Sequence, residues 1–126
     1  MKRSYYDNKP STLESIGNGS YFYRWDIAEE RFIDTMSNKE VTQYSCNEVI
    51  VWLPLTSNKI LQKVLETVFP NNREQKYVNE YNAALLGMYD EDEIANKINN
   101  YKDFLTQRAS LKAQVDCDCK QLNIPN

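Results

Sequence analysis

The side chains that could do chemistry in this chain of 126 residues are limited in kind, because it has no histidine and three cysteines. Histidine is the usual general base near neutral pH and the commonest metal ligand. Without it, Ser-His-Asp and Cys-His nucleophile systems cannot form. Zinc would have to use Cys46, Cys117, Cys119 and carboxylates, a poor ligand set. We therefore predict that the protein is not an enzyme, with no catalytic, cofactor-binding or metal-binding residues and no cofactor.

Two short clusters have the residue types of metal sites but lack their spacing. The run YDEDE, from Tyr89 to Glu93, has contiguous acids and lacks the glycine that a calcium loop needs at its sharp turn. We interpret these acids as the start of a helix, where negative charge complements the helix dipole. Cys117 and Cys119 have no second cysteine pair and no histidine near them, so their metal signal is weak.

Aromatic residues are concentrated in the stretch SYFYRWDI, from Ser20 to Ile27. Tyr21, Tyr23 and Trp25 fall on alternate positions, which predicts a strand with one aromatic face. That face could stack on sugar rings or sit in a protein interface. It could equally be the face that helices cover, and we favour this interpretation because a small sheet must bury one side.

A second strand is predicted from Val41 to Leu53, ended by Pro54, which lacks a backbone donor. The short connection favours antiparallel pairing with the aromatic strand. Upstream, Ser11 with Glu14 matches a capping box and predicts a helical turn at 11–16. Gly17-Asn18-Gly19 then predicts a tight turn.

Three helices are predicted after Pro54. The first is capped by Thr56 or Ser57 and ends at Pro70, and the second is capped by Asn71 or Asn72 and ends near Leu86. The third, from Glu93 to Val115, would be about 35 Å long. The apolar stripes on these helices are predicted to comprise Ile60, Leu61, Val64, Leu65 and Val68; Tyr77, Val78, Tyr81, Ala84, Leu85 and Met88; and Ile94, Ile98, Tyr101, Leu105, Leu111 and Val115.

These elements predict an α+β fold, in which an N-terminal antiparallel β-hairpin or small sheet packs against three C-terminal helices. We divide the chain into an N-terminal arm and turn at 1–19, one α+β domain at 20–115, and a C-terminal tail at 116–126. Asp116 and Asp118 oppose the helix dipole, so we expect the third helix to fray there. The candidate interaction surface comprises Tyr21, Tyr23, Trp25, Leu111 and Val115.

Charge and hydropathy narrow the classes of partner. The net charge is −3, whereas a protein that binds the nucleic-acid backbone needs a concentrated positive field. No run approaches the ~20 apolar residues of a membrane span, and no apolar stretch follows Lys2 and Arg3 as in a signal peptide. We expect a protein partner, not nucleic acid or a membrane, and a reducing compartment without secretion by a signal peptide.

Three stretches together resemble small proteins encoded beside tail and structural genes in phages and prophages of gut Bacteroidetes. They are QYSCNEVIVWLPLT at 43–56, EQKYVNEYNAALLG at 74–87 and YKDFLTQRASLKAQV at 101–115. The last is also similar to the C-terminal helical part of some tail-fibre-associated proteins. The resemblance covers roughly residues 17–115 and carries no catalytic or binding residue with it.

The resemblance implies a non-enzymatic structural or assembly protein of a tailed phage, acting through protein–protein contacts. Its location would be the bacterial host cytoplasm during infection, or the virion. Its partner would be another phage component or a second copy of the chain, because the long third helix can outrun its own core near Leu111 and Val115. Two alternatives stay open: a small phage-encoded inhibitor that binds a host protein, and a glycan-binding module that uses the aromatic strand.

Overall fold

The computed structural model describes residues 2–126 and contains four strands followed by three helices. In chain order they are β1 (Ser4–Tyr6), β2 (Leu13–Ser15), β3 (Ser20–Ile33), β4 (Glu40–Trp52), α1 (Ser57–Val68), α2 (Asn71–Leu85) and α3 (Glu91–Gln121). The strands form one antiparallel sheet in the order β1-β4-β3-β2. The predicted α+β class, with a small N-terminal sheet and three C-terminal helices, is confirmed.

The β3–β4 hairpin is the centre of the sheet, and its predicted antiparallel pairing is confirmed. Tyr23 lies opposite Val49, and the ladder continues to Ile33 opposite Glu40. Asn38 adopts a left-handed conformation in the turn, with φ 55°. An asparagine tolerates this conformation better than most residues, because its short side chain can hydrogen-bond locally.

The helical turn predicted at 11–16 is wrong, because residues 13–15 form β2 and pair with β3. The Ser11 hydroxyl donates to the carbonyl oxygen of Leu13 and caps no helix. The predicted turn at 17–19 is confirmed, with Gly17 and Gly19 at φ 95° and 88°. This turn folds β2 back onto β3. Pairing with β3 therefore prevails over the helical tendency of the capping-box pattern.

The main core lies between one face of the sheet and the helices. Tyr23 and Trp25 stack on that face with ring centroids 5.7 Å apart. The buried members of this core are Tyr23, Trp25, Val49, Val51, Ile60, Val64, Val115 and Cys119. The aromatic face of β3 is therefore covered by helices at its central residues, as the packing argument favoured.

A second cluster of rings joins α2 to the first half of α3. Phe104 packs edge-on against Phe69 at 4.9 Å and stacks on Tyr77 at 5.2 Å, while Tyr81 stacks on Tyr101 at 4.4 Å. The predicted stripes are wrong at Leu85, Met88 and Leu105, which are exposed. Phe104 is buried in place of Leu105 and packs between Phe69, at the end of α1, and Tyr77 of α2.

The ends of the helices follow specific caps. Thr56 caps α1 by accepting from the amide of Lys59 at 3.1 Å, which confirms one of the two predicted positions. Pro70 occupies the N-cap position of α2, so the asparagine cap predicted there is wrong. Gly87, at φ 72°, ends α2 with paired hydrogen bonds from its own amide and that of Met88 to Ala84 and Ala83.

The predicted fraying of the last helix at Asp116 and Asp118 is wrong, because α3 continues to Gln121 and is about 46 Å long. Asp118 accepts a hydrogen bond from the Tyr23 hydroxyl at 2.6 Å, so its carboxylate satisfies the polar end of a buried core residue. Asn123, at φ 57°, then turns the chain back. The Pro125 carbonyl accepts from the amide of Ser57 at 2.7 Å, which attaches the C-terminal residues to the start of α1.

One buried guanidinium ties all four strands together on the outer face of the sheet. Arg24 is 1 % exposed and donates to Glu48 at 2.7 Å, to Glu14 at 2.8 Å and to the Tyr6 hydroxyl at 3.1 Å. The Tyr6 hydroxyl in turn donates to Glu48. Burial and the bond to Glu48 raise the pKa of Tyr6 above its usual value. The network holds the short edge strands β1 and β2 against the hairpin.

Thiol reactivity provides a simple check of this fold. Cys117 is exposed, whereas Cys46 and Cys119 are buried and burial raises the pKa of both thiols. We expect a thiol reagent such as DTNB to modify Cys117 rapidly in the native protein and the other two only after unfolding, because the thiolate is the reactive form. Cys117→Ser should abolish the fast phase. Two fast-reacting thiols in the native protein would contradict the packing of Cys46 or Cys119.

Candidate functional site at the β-bulge

A groove lies beside an irregularity in the central hairpin. The β3–β4 register shifts between Trp25 and Ala28, and Asp26 adopts a left-handed conformation at φ 53°. A β-bulge bends its strand and redirects the side chains beside it, which is why bulges often lie next to binding sites. Here the bulge marks the point at which β3 leaves the core: Trp25 is buried and Asp26 is exposed.

Arg3 fixes the bulge in place. Its guanidinium donates to the Asp26 carboxylate at 2.9 Å, to the Asp26 carbonyl at 2.7 Å and to the Ser45 hydroxyl at 3.0 Å. It also reaches the side-chain oxygen of Asn47 at 3.3 Å. The side chain of Asp26 is mostly solvent-exposed, so this ion pair alone contributes little to stability. Its structural effect is to orient the exposed turn of the bulge.

A groove of about 610 Å³ runs from the bulge along α3. Its apolar members are Trp25, Val68 and Leu111, and its polar members are hydroxyls, amides and one acid: Asp26, Asn47, Thr106, Gln107, Ser110 and Gln114. The groove thus combines hydrogen-bond donors and acceptors with an apolar surface that makes up most of its exposed lining. Such a lining can bind a neutral polar group or a peptide backbone.

The groove has a poor set of groups for acid–base chemistry. Asp26 is the one carboxylate among its lining residues, and Arg3 already neutralises it. General acid–base catalysis needs a positioned group that can exchange a proton near the working pH. Across residues 2–126, no three cysteine or acidic side chains converge in a way that could hold a metal ion. The groove lining therefore supplies hydrogen-bonding and apolar groups for binding.

The structure distributes the predicted interaction residues over several environments. Tyr23 and Val115 are buried in the main core, and Tyr21 is half-buried on the same face. Trp25 and Leu111 come together at the groove, where Trp25 is 5 % exposed. Stacking on a sugar needs an open ring face, and the rings of Tyr23 and Trp25 are covered.

Two exposed apolar patches were not predicted as interaction residues. The hairpin-tip patch consists of Phe32, Ile33 and Met36, and the helix-turn patch consists of Leu85, Leu86 and Met88. The second could have been suspected from three large apolar residues around Gly87, where a helix ends. The hairpin-tip patch gives a weaker sequence signal, because Phe32 and Ile33 could equally belong to the part of a strand that helices cover.

No described helix has both the length and the apolar character needed to cross a membrane. Comparison of the chain with protein-family models, curated proteins and solved structures finds no match in any of the three.

Proposed function

We propose that this protein is a non-enzymatic structural or assembly component of a tailed phage and acts through protein–protein contacts. The observation that carries the proposal is the hairpin-tip patch. Phe32, Ile33 and Met36 are 47 %, 66 % and 94 % exposed at the end of a long hairpin. Phe32 and Ile33 are consecutive in β3 and so project from its two faces, which leaves both sides of the hairpin tip with an exposed apolar side chain. Exposed large apolar side chains at the end of one element are typical of a surface that another protein covers. The phage setting rests on the sequence resemblance described above.

The hairpin tip is ordered by its own hydrogen bonds, which favours its use as a docking element. Asp34 accepts from the Met36 amide at 2.9 Å, from the Ser37 hydroxyl at 3.2 Å and from the Asn38 amide at 2.7 Å. A loop already held in one conformation loses less entropy when it binds. Met36 adds an adaptable side chain that can fit an irregular apolar surface.

A pull-down from infected cells tests the proposal. We expect the wild-type chain to capture virion structural proteins. The variant Phe32→Ser/Ile33→Thr/Met36→Gln should bind them at least about tenfold more weakly, because central apolar anchors dominate interface energies. These side chains lie outside the core, so the variant should keep its circular dichroism spectrum.

The helix-turn patch provides the matched control. Leu85→Gln/Leu86→Gln/Met88→Gln removes a similar apolar area at a distance along the chain and should leave the capture unchanged. Equal yields from the wild type and the tip variant would contradict the role of the hairpin tip. Capture of a host enzyme without any virion protein would contradict the assembly role and support the inhibitor alternative. Mass spectrometry of purified virions separates a component of the particle from an assembly factor that leaves it.

A further inference from the structure

The C-terminal half of β4 is an open sheet edge. β1 pairs with Tyr44–Cys46, and within residues 2–126 no strand pairs with β4 beyond Cys46 on that side. The Leu53 amide donates to Gly19 at 2.9 Å on the β3 side. Since backbone groups alternate in direction along a strand, those of Ile50 and Trp52 point away from β3. The edge therefore presents two amides and two carbonyls to a further strand.

This edge has few of the features that usually prevent association. The residues from Val49 to Trp52 are all apolar with high β-propensity, and the segment contains no proline and no bulge. On the outer face of the sheet, Ile50 is 43 % and Trp52 is 54 % exposed. A straight, apolar, unpaired edge of this kind is a template for pairing with another strand.

The helix beside the edge carries charges in a self-complementary order. A groove of about 240 Å³ separates β4 from one face of α1, and Lys59, Gln62, Lys63 and Glu66 line it on the helix side. Their spacing of three and four residues places them on one helix face. Positive charge lies towards the start of the face, and negative charge lies at its end.

We propose that two copies of this chain pair through their β4 edges, antiparallel and about a two-fold axis at Val51, to form a continuous sheet six strands wide, in which β1 of each copy lies end to end with β4 of the other. In this register Ile50 lies opposite Trp52 of the second copy, and the two positions exchange backbone hydrogen bonds twice around the axis. The exposed side chains of Ile50 and Trp52 become cross-strand apolar neighbours on the outer face.

The same axis brings the helix charges into register. A two-fold axis perpendicular to the sheet reverses every direction in the helix layer, so the two copies of α1 run antiparallel. Lys59, whose ammonium donates to the Leu53 carbonyl at 3.2 Å in its own chain, then faces Glu66 of the second copy. Gln62, which donates to Glu66 of its own chain at 3.2 Å, faces Lys63 of the second copy. This charge complementarity favours a second copy over an unrelated strand, which would have to match both the edge and the helix face.

The inference depends on the edge of β4 and does not use the hairpin-tip patch or the phage assignment. Loss of dimerisation in an edge variant and loss of capture in a tip variant can therefore be observed separately. A monomeric wild-type protein that still captures virion proteins would overturn the dimer and leave the proposed function standing.

Sedimentation and hydrogen exchange test the dimer. We expect sedimentation equilibrium to give twice the chain mass of 14.8 kDa at high concentration, with dissociation on dilution. The amides of Ile50 and Trp52 should gain protection with concentration. Those of Val49 and Val51, which point towards β3, should be protected throughout. A monomer at all concentrations, or a dimer whose Ile50 and Trp52 amides exchange freely, would overturn the proposal.

Charge exchange tests the register without disturbing the fold. Lys59→Glu or Glu66→Lys alone should weaken the dimer by about tenfold or more, because each change acts twice across the axis. The double variant Lys59→Glu/Glu66→Lys restores opposite charges and should recover the wild-type dissociation constant. Ile50→Pro should give a monomer, because proline lacks the backbone amide that would bond to the second copy. Within residues 2–126 of one chain this amide has no partner, so the fold should tolerate its loss. Weakening by the single charge variants without recovery in the double variant would overturn the proposed register.

Discussion

Arg24→Ala should lower the free energy of unfolding by about 3–5 kcal/mol, since it breaks a buried ion pair by removing one partner. Glu48 would remain on the sheet with 15 % of its side chain exposed and without its cation. Glu14 and the Tyr6 hydroxyl would also lose their donor, and with it the link between the edge strands and the hairpin. Urea denaturation followed by circular dichroism measures the change.

Arg31→Ala is the matched control, because Arg31 is on the same strand and also forms ion pairs, with Glu29 and Glu40. Its side chain is 64 % exposed, and exposed pairs typically contribute less than about 1 kcal/mol. Adding Glu48→Gln to Arg24→Ala should recover part of the loss by removing the uncompensated charge. An Arg24→Ala effect no larger than that of Arg31→Ala would show that the buried network adds nothing to stability.

Tyr23→Ala should lower the free energy of unfolding by about 3–5 kcal/mol, as large-to-small changes of buried aromatic residues do. The ring of Tyr23 is fully buried, stacks on Trp25 and reaches Asp118 on α3. Tyr23→Phe keeps the ring and removes one hydrogen bond, so a loss of about 1 kcal/mol is expected. Chemical denaturation of the two variants separates ring packing from the hydroxyl.

Asp116→Asn and Asp118→Asn form a second matched pair. Asp116 is exposed, and its replacement should change stability by less than about 0.5 kcal/mol. Asp118 accepts the Tyr23 hydroxyl, so its replacement should cost more. Equal effects at the two positions would contradict the Tyr23–Asp118 contact.

The dependence of stability on pH gives a separate signature of the same contact. Burial, and then the hydrogen bond to Asp118, raise the pKa of Tyr23 well above its usual value near 10. The folded state therefore holds this proton more tightly than the unfolded state does. The stabilisation is complete below about pH 10 and is lost as the pH rises from there towards the folded pKa. The buried thiols of Cys46 and Cys119 act in the same direction, so a shallower alkaline loss in Tyr23→Phe isolates the tyrosine.

The elements with strong periodicity were predictable from the sequence. Alternation of Tyr21, Tyr23 and Trp25 correctly indicated a strand with a covered face, because a period of two places these rings on one side of the sheet. The ends of three elements were marked by Pro54, Pro70 and Gly87. Proline fixes φ and lacks a backbone donor, and glycine can adopt positive φ, so both effects can be recognised from the residue type alone. The first helix and its threonine cap followed from the same local signals.

The features that depend on distant partners were not predictable. The capping-box pattern at Ser11 and Glu14 is local, but β3 recruits that segment as a strand and Arg24 binds the Glu14 carboxylate. Asp118 opposes the helix dipole, yet Tyr23 lies 95 residues away in sequence and supplies a donor. The groove at the bulge escaped prediction for the same reason: a register shift at Asp26 leaves no pattern that periodicity reveals.

The packing of the end of α3 against the sheet has a consequence for how the chain folds during synthesis on the ribosome. Tyr23 and Trp25 are made early, but Val115, Cys119 and Ile124, which pack in the core with them, are made about 90 to 100 residues later. Translation at roughly 5–20 residues per second leaves the aromatic side of the nascent hairpin uncovered for seconds. During this interval the exposed apolar surface can associate with other nascent chains. We expect chaperone binding to the nascent chain to decrease once α3 has emerged from the ribosome.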